Sequence, residues 1–267
     1  MVRGVLRLVN GLISIAVGFA LLTAGVYAAY CLWDNNQIYA AADNVQAELL
    51  SLKPKIIPYD PEETGPTFAE LLAINPDVRA WVTLDNTNID FPVVQGRTNL
   101  DYINTDVYGN FALAGSIFLD SRNDPTFADP YSLLYGHHME NSGMFGDLDL
   151  YKDLDFFQEN QTGMLILPER VCSLRIFACM LVTASEKRIF TPSTWDKGVG
   201  KLIDYAEKDG LHIHPEVIEQ MRQRMADGEE LQVLALTTCA SDFTDARTIV
   251  LAVMDDYRQE NREDQQP

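Results

Sequence analysis

Short apolar runs rich in Val, Ile, Leu and Thr, separated by polar links, recur along the chain after about residue 80. Runs of this length and composition are typical of β-strands. Eight strands are predicted, at 80–84, 91–94, 116–119, 132–135, 164–167, 174–183, 231–238 and 248–254. Eight strands in one domain predict a mainly β protein that folds as a closed or nearly closed barrel.

Helical patterns lie before and between these strands. Apolar residues at helical spacing predict an amphipathic helix over 35–52, and three prolines predict a linker over 53–65. Thr67 and Glu70 form a capping-box pattern, which predicts a short helix that ends near Ile74.

Two helical insertions are predicted among the strands. They cover about 144–158 and about 198–227, and the second lies between the sixth and seventh predicted strands. No internal repeat or glycine-rich phosphate loop interrupts the pattern.

The N-terminal part of the chain has the composition of a membrane-spanning helix. No charge occurs from Leu8 to Trp33, about 26 residues, which is long enough to cross a hydrocarbon core of roughly 30 Å. Arg3 and Arg7 precede the run and Asp34 follows it, so the positive-inside rule predicts a single-pass anchor with a cytoplasmic N-terminus and an extracellular remainder.

Two alternatives to an uncleaved anchor involve processing. A cleaved signal peptide would use the small residues Ala28 and Ala29, but the apolar run exceeds the usual signal core. A lipoprotein site at Cys31 is disfavoured by the bulky Tyr30 before it. The expected organisation is therefore an anchor (1–34), a helix and linker (35–66), a barrel domain (67–256) and a disordered polar tail (257–267).

Candidate chemistry centres on Cys239, which directly follows the seventh predicted strand, and on Arg247, which directly precedes the eighth. A short polar link between the two runs predicts antiparallel neighbours, with both residues at one loop mouth. A guanidinium there favours the reactive thiolate and can stabilise the negative charge that develops on a substrate carbonyl oxygen. The pattern therefore predicts a nucleophile beside a cation.

A thiolate that attacks an acyl group also needs a proton donor, for which histidine is the usual choice. His137 and His138 follow a predicted buried strand, and alternation would direct only one of the two rings towards the thiol. His212 and His214 lie beside a predicted helix and are expected to be solvated surface residues.

These residues resemble a known family, the class B sortases. The resemblance is carried by residues 135–139, 142–148 and 236–239 together with Arg247, and it extends to 68–78, 88–96 and 114–120. It implies an eight-stranded sortase barrel with N-terminal helices and a helical insertion between strands 6 and 7. It also implies a membrane-anchored cysteine transpeptidase of Gram-positive bacteria that needs no cofactor.

The resemblance further implies roles for individual residues. Cys239 is the expected nucleophile, His137 the proton donor and Arg247 the oxyanion donor, while His138, Thr238, Thr237 and Leu236 are expected to bind substrate or support the site. Ala235 departs from the family's Thr-Leu-x-Thr-Cys signature, where the first threonine would stand. The implied partners are surface proteins or pilins with a C-terminal sorting signal, and a peptidoglycan precursor or a pilin lysine as amine acceptor.

Composition narrows the remaining possibilities. The net charge of −19 argues against nucleic-acid binding, and the acidic surface serves either solubility or the attraction of an amine substrate. Cys172 and Cys179 are expected to be core residues on opposite faces of one strand, too far apart for a disulfide. No Cys-x-x-Cys or His-x-x-x-His pair indicates a metal site. A cysteine protease and a non-enzymatic membrane-anchored binding module stay open as alternative functions.

Overall fold

The computed structural model describes residues 2–54, 68–139, 141–238 and 246–257. The predicted nucleophile Cys239, most of the predicted linker and nearly all of the predicted tail lie outside these residues. The chain divides into two compact units, Met1–Ala41 and Ala42–Pro267.

The N-terminal helix α1 runs without interruption over Val2–Leu50. The stretch 35–52, predicted to be an amphipathic helix, forms the last part of this helix, which ends at Leu50. The apolar part of α1 is long and apolar enough to cross a membrane, and none of it is buried. An N-terminal signal sequence can have the same length and composition.

Nine strands and six α-helices form from the described residues. The strands are β1 (Val78–Leu84), β2 (Asp90–Val94), β3 (Ile117–Leu119), β4 (Tyr131–Gly136), β5 (Thr162–Ile166), β6 (Val171–Thr183), β7 (His212–Ile213), β8 (Gln232–Thr238) and β9 (Ala246–Asp256). After α1, the helices are α2 (Phe68–Ile74), α3 (Leu154–Glu159), α4 (Lys187–Phe190), α5 (Gly200–Asp209) and α6 (Pro215–Ala226). Two 3-10 helices cover Gly146–Lys152 and Pro192–Trp195.

Eight of the strands close into a barrel, as the sequence predicted. Their order is β5-β1-β2-β3-β4-β8-β9-β6, and β6 pairs back with β5. All eight predicted strands are confirmed. The two-residue β7 pairs with β6 beyond the end of β5 and was not predicted.

The helical insertion between β6 and β8 covers one face of the barrel. Side chains of α5 and α6 pack with residues of β4, β6, β8 and β9 in one buried cluster. Six of the seven residues of β8 are consequently buried. A strand that is covered on both faces is read in the sequence as a continuous apolar run.

An irregularity in β6 changes the relation between its two cysteines. Cys172 and Cys179 are both buried, as predicted. However, the pairing of β6 with β9 shifts between Ile176 and Ala178. An extra residue of this kind interrupts strand alternation. The predicted opposite orientation assumed alternation without a break, so it does not follow from this strand.

Candidate active site

The site forms where two parallel strands, β4 and β8, end side by side. Gly136, the last residue of β4, pairs with Thr238, the last residue of β8. His137 follows Gly136, and Cys239 follows Thr238. A Cβ on Gly136 would lie 2.5 Å from both Ile117 and the Phe145 ring, so a larger residue does not fit at this strand end.

The loop after β4 folds back against its own strand. The N–H of Phe145 donates a hydrogen bond of 3.0 Å to the carbonyl of His137. His138 forms an isolated β-bridge with Met144, whose φ is +52°. The backbone of both histidines is thus held, and regular β4 ends before either of them, at Gly136.

Arg247 lies at the same end of the barrel, at the start of β9. Its Nη1 donates a hydrogen bond of 3.0 Å to the carbonyl of Thr238, and its guanidinium lies 5.7 Å from the centroid of the Phe190 ring. The antiparallel pairing of β8 with β9 confirms the predicted hairpin. The guanidinium is therefore bound to the residue that directly precedes Cys239.

The predicted supporting residues of β8 are enclosed by the fold. Leu236 and Thr237 are fully buried and Thr238 is 5% exposed. The Thr237 hydroxyl donates to the carbonyl of Thr238 at 3.2 Å, the same oxygen that accepts from Arg247. The side chains of Leu236 and Thr237 accordingly support the strand end from within the fold.

Asp149, in the first 3-10 helix, joins two parts of the site and was not singled out from the sequence. Its Oδ2 lies 3.0 Å from Nε2 of His138, and its Oδ1 accepts a hydrogen bond of 2.7 Å from the hydroxyl of Thr248. Lys152 Nζ lies 2.7 Å from Oδ1. Partial burial raises the pKa of Asp149, but the hydrogen bonds from His138, Lys152 and Thr248 together hold it well below its ordinary value.

Asp120, which follows β3, forms a second polar cluster beside the site. Its carboxylate accepts from Nε of Arg122 at 2.8 Å, from Nη2 of Arg122 at 2.6 Å, from Asn99 at 2.9 Å and from the Tyr135 hydroxyl at 3.1 Å. Burial raises the pKa of Asp120, and the bonds from Arg122 and Asn99 bring it below its ordinary value. Arg122 also donates to the carbonyl of Phe190 at 2.7 Å, which links this cluster to the ring beneath Arg247.

The surface location predicted for His214 is wrong. His214 is 4% exposed, stacks on Phe157 with ring centroids 4.2 Å apart, and places Nε2 3.1 Å from the Phe157 carbonyl. His212 is half-buried and lies 2.8 Å from the carbonyl of Lys152. The stacking of His214 on Phe157 of α3 encloses its ring.

Within the part of the chain that the structure describes, no group of three or more His, Cys, Asp or Glu side chains is arranged to hold a metal ion.

Comparison with known proteins relates this barrel to one enzyme family. No family model matches the chain. Sortase B of Staphylococcus aureus (strain NCTC 8325 / PS 47) is 27% identical over 192 residues, which cover 72% of this chain and 75% of the relative. Sortase B of Listeria monocytogenes serovar 1/2a is 39% identical over 100 residues, 38% of this chain and 41% of the relative.

Solved structures extend the similarity to the whole barrel. The crystal structure of Spy0129, a Streptococcus pyogenes class B sortase involved in pilus biogenesis, is 35% identical with a TM-score of 0.60, covering 70% of this chain and 97% of that one. Clostridium perfringens sortase B is 29% identical with a TM-score of 0.61, covering 71% of this chain and all of that one. Because nearly the full length of a solved class B sortase aligns with the barrel that bears the predicted site, this chain belongs to the class B sortases, which are cysteine transpeptidases.

Proposed function

We propose that this protein is a membrane-anchored sortase that cleaves a C-terminal sorting signal after a threonine and transfers the new acyl end to an amine. Cys239 attacks the threonine carbonyl, His137 protonates the amine that leaves, and Arg247 stabilises the oxyanion. An acceptor amine then attacks the thioacyl group, forms a new amide and releases the thiol. The sorting signal is of the Asn-Pro-x-Thr-x type.

The observation that carries this proposal is the hydrogen bond from Arg247 to the carbonyl of Thr238. It holds a planar donor group next to the residue to which Cys239 is bonded. The Nε of Arg247 is buried, and none of the described residues offers it an acceptor. His137 directly follows Gly136, which pairs with Thr238. This position supports the role of His137 as the proton donor.

The remaining thiols of the barrel domain are poor nucleophiles. Burial raises the pKa of Cys172 and raises that of Cys179 to about 12. Both are enclosed in β6 and are neutral thiols at physiological pH. This favours Cys239 as the residue that forms the covalent intermediate.

The anchor and the acceptor belong to the same proposal. The apolar part of α1 supports a single-pass anchor with the catalytic domain outside the cell. The acceptor is a peptidoglycan amine or the lysine of a pilin, and the pilus role stated for Spy0129 supports the second of these.

Mass spectrometry of the acyl-enzyme tests the nucleophile. The full-length protein in detergent is incubated with a sorting peptide, and Cys239→Ala is expected to form no adduct while Cys172→Ala and Cys179→Ala still do. His137→Ala is expected to lose far more peptide cleavage than His138→Ala. An adduct on Cys239→Ala would contradict the assignment.

The acceptor reaction is tested with the same peptide in the presence and absence of an amine. A transpeptidase is expected to give the amide product and to turn over faster when the amine is added. A cysteine protease would give the free acid at the same rate in both, and that result would replace transfer by hydrolysis.

A further inference from the structure

Asp149 contacts the two segments that carry the proposed proton donor and the proposed oxyanion donor. Its Oδ2 contacts His138, the residue after His137, and its Oδ1 contacts Thr248, the residue after Arg247. Asp149 and Thr248 are 99 residues apart in the chain. A single carboxylate therefore links two segments that lie far apart in the sequence.

The contact of Asp149 with Thr248 lies at the start of β9. Arg247 and Thr248 pair with Val182 and Leu181 of β6 on one side. On the other side, the described residues of β8 pair with β9 as far as Thr237 and Ile249. Thr248 is 3% exposed, and the bond from its hydroxyl to Asp149 adds a side-chain contact at the start of β9.

The 3-10 helix that bears Asp149 is itself firmly anchored. Leu148 and Tyr151 are fully buried against the barrel. On the same helix, the Asp147 carboxylate accepts from the main-chain N–H of Asn88 at 2.7 Å and from its side-chain amide at 3.0 Å. Asp149 is accordingly presented from a fixed element and not from a free loop.

The charge state of Asp149 suits a permanent acceptor. The depressed pKa keeps the carboxylate ionised at neutral pH, and Lys152 on the same helix balances the charge. Hydrogen bonds to an ionised acceptor are stronger than neutral ones, so the link persists at an exposure of 36%.

We propose that Asp149 is a positioning residue of the transpeptidase, whose carboxylate ties the segment of His137 to the segment of Arg247 and so fixes the spacing of proton donor and oxyanion donor. The inference rests on the proposed function. The contacts of Asp149 among the described residues are with His138, Lys152 and Thr248. Its effect is on alignment, on which rates depend steeply.

Kinetics of Asp149→Asn in the full-length protein give the first test. The change keeps the size of the side chain but removes the charge, and we expect kcat for transpeptidation to fall about 10- to 100-fold with KM changed less than about threefold. Thr248→Val is expected to cause a smaller fall. The double variant is expected to be no worse than Asp149→Asn, because both changes cut the same link.

Asp153→Asn is the matched control. Asp153 caps α3 by accepting from the N–H of Phe156, a role that asparagine also fills, and it lies four residues from Asp149. The same charge is removed from the same neighbourhood without loss of the cross-link. Wild-type kcat is expected, and a loss equal to that of Asp149→Asn would overturn the positioning role.

Alkylation of Cys239 by iodoacetamide, followed against pH by peptide mass spectrometry, tests the same residue without a sorting peptide. Removal of a negative charge by itself favours the thiolate and lowers the pH midpoint of alkylation. Misalignment of His137 and Arg247 removes stabilisation of the thiolate and raises the midpoint. We expect this second effect to dominate, so that the midpoint in Asp149→Asn rises by about half a pH unit or more. A fall or no change contradicts the inference.

The two levels of the proposal fail separately. Wild-type kcat and alkylation in Asp149→Asn, beside an inactive Cys239→Ala, would overturn the positioning role and leave the transpeptidase mechanism intact. Product formation by Cys239→Ala would overturn the mechanism itself.

Discussion

Two carboxylates near the site, Asp120 and Asp149, differ in their burial and in where their hydrogen-bond partners lie in the chain. Asp120 is fully buried, and its partners include the bidentate Arg122 only two residues away. Asp149 is 36% exposed, and two of its partners come from separate parts of the chain. The first arrangement builds the fold, whereas the second aligns segments that already fold.

The energetic consequence follows from burial. An ion pair near solvent contributes about 0 to 1 kcal/mol to stability, because water replaces the lost partner. Removal of a buried hydrogen-bonded carboxylate leaves its donors without partners and costs more. We therefore expect stability to depend mainly on Asp120 and alignment mainly on Asp149.

The largest expected effect is at Arg247, which both clusters approach, through Phe190 on one side and Thr248 on the other. Arg247→Lys is expected to be nearly as damaging as Arg247→Ala, at about 3 to 4 kcal/mol of transition-state stabilisation, because an ammonium lacks the two parallel donors of a guanidinium. The measurement is kcat/KM for transpeptidation, with folding checked by circular dichroism. Near-wild-type activity in Arg247→Lys would reduce the role of Arg247 to a general positive potential.

Asp120→Ala gives the sharpest test of the comparison itself. We expect the free energy of unfolding to fall by about 3 kcal/mol, since Tyr135, Asn99 and the Arg122 main chain lose a buried acceptor. Asp149→Ala is expected to cost about 1 kcal/mol or less. The free energy of unfolding of both variants is measured by chemical denaturation. Equal losses of stability would contradict the different roles assigned to Asp120 and Asp149.

At low pH, wild type and Asp120→Asn are expected to differ less in their free energy of unfolding. The pKa of Asp120 in the folded protein lies below its ordinary value of 3.8, so its contribution to stability is complete above that pH and is lost as the pH falls through the folded pKa. Unfolding measured at about pH 6 and about pH 3 is expected to show a large difference between the two proteins at the first and a smaller one at the second. A difference that is constant with pH would show that the ionised carboxylate is not what stabilises the fold.

Phe190→Leu is expected to have the smallest effect. The Phe190 ring lies under the Arg247 guanidinium and is stacked on Tyr135 at 6.4 Å, and a cation–π contact contributes about 0.5 to 1 kcal/mol at such a site. We expect kcat/KM to fall roughly two- to fivefold with unchanged stability. A loss as large as that of Arg247→Lys would mean that Phe190 contacts the substrate directly.

Local sequence determined the barrel strands and the β8–β9 hairpin. Strand-length apolar runs are recognisable without knowledge of their partners, and a short polar link between two such runs leaves antiparallel pairing as the simplest arrangement. The resemblance to class B sortases added the order of the motifs, and with it the roles expected of Cys239 and His137, which stay predictions. The hydrogen bond of Arg247 to Thr238 agrees with the loop mouth predicted for the hairpin.

Only the tertiary structure decided which polar side chains meet. The spacing of Asp149 and Lys152 is visible in the sequence as an acid and a base three residues apart, but the contact with Thr248 spans 99 residues and depends on how β9 lies against the 3-10 helix. The burial of His214 likewise depends on its stacking against Phe157. Apolar periodicity is a local property that the chain encodes residue by residue, whereas the partners of isolated polar groups are set by non-local packing, which no local pattern records.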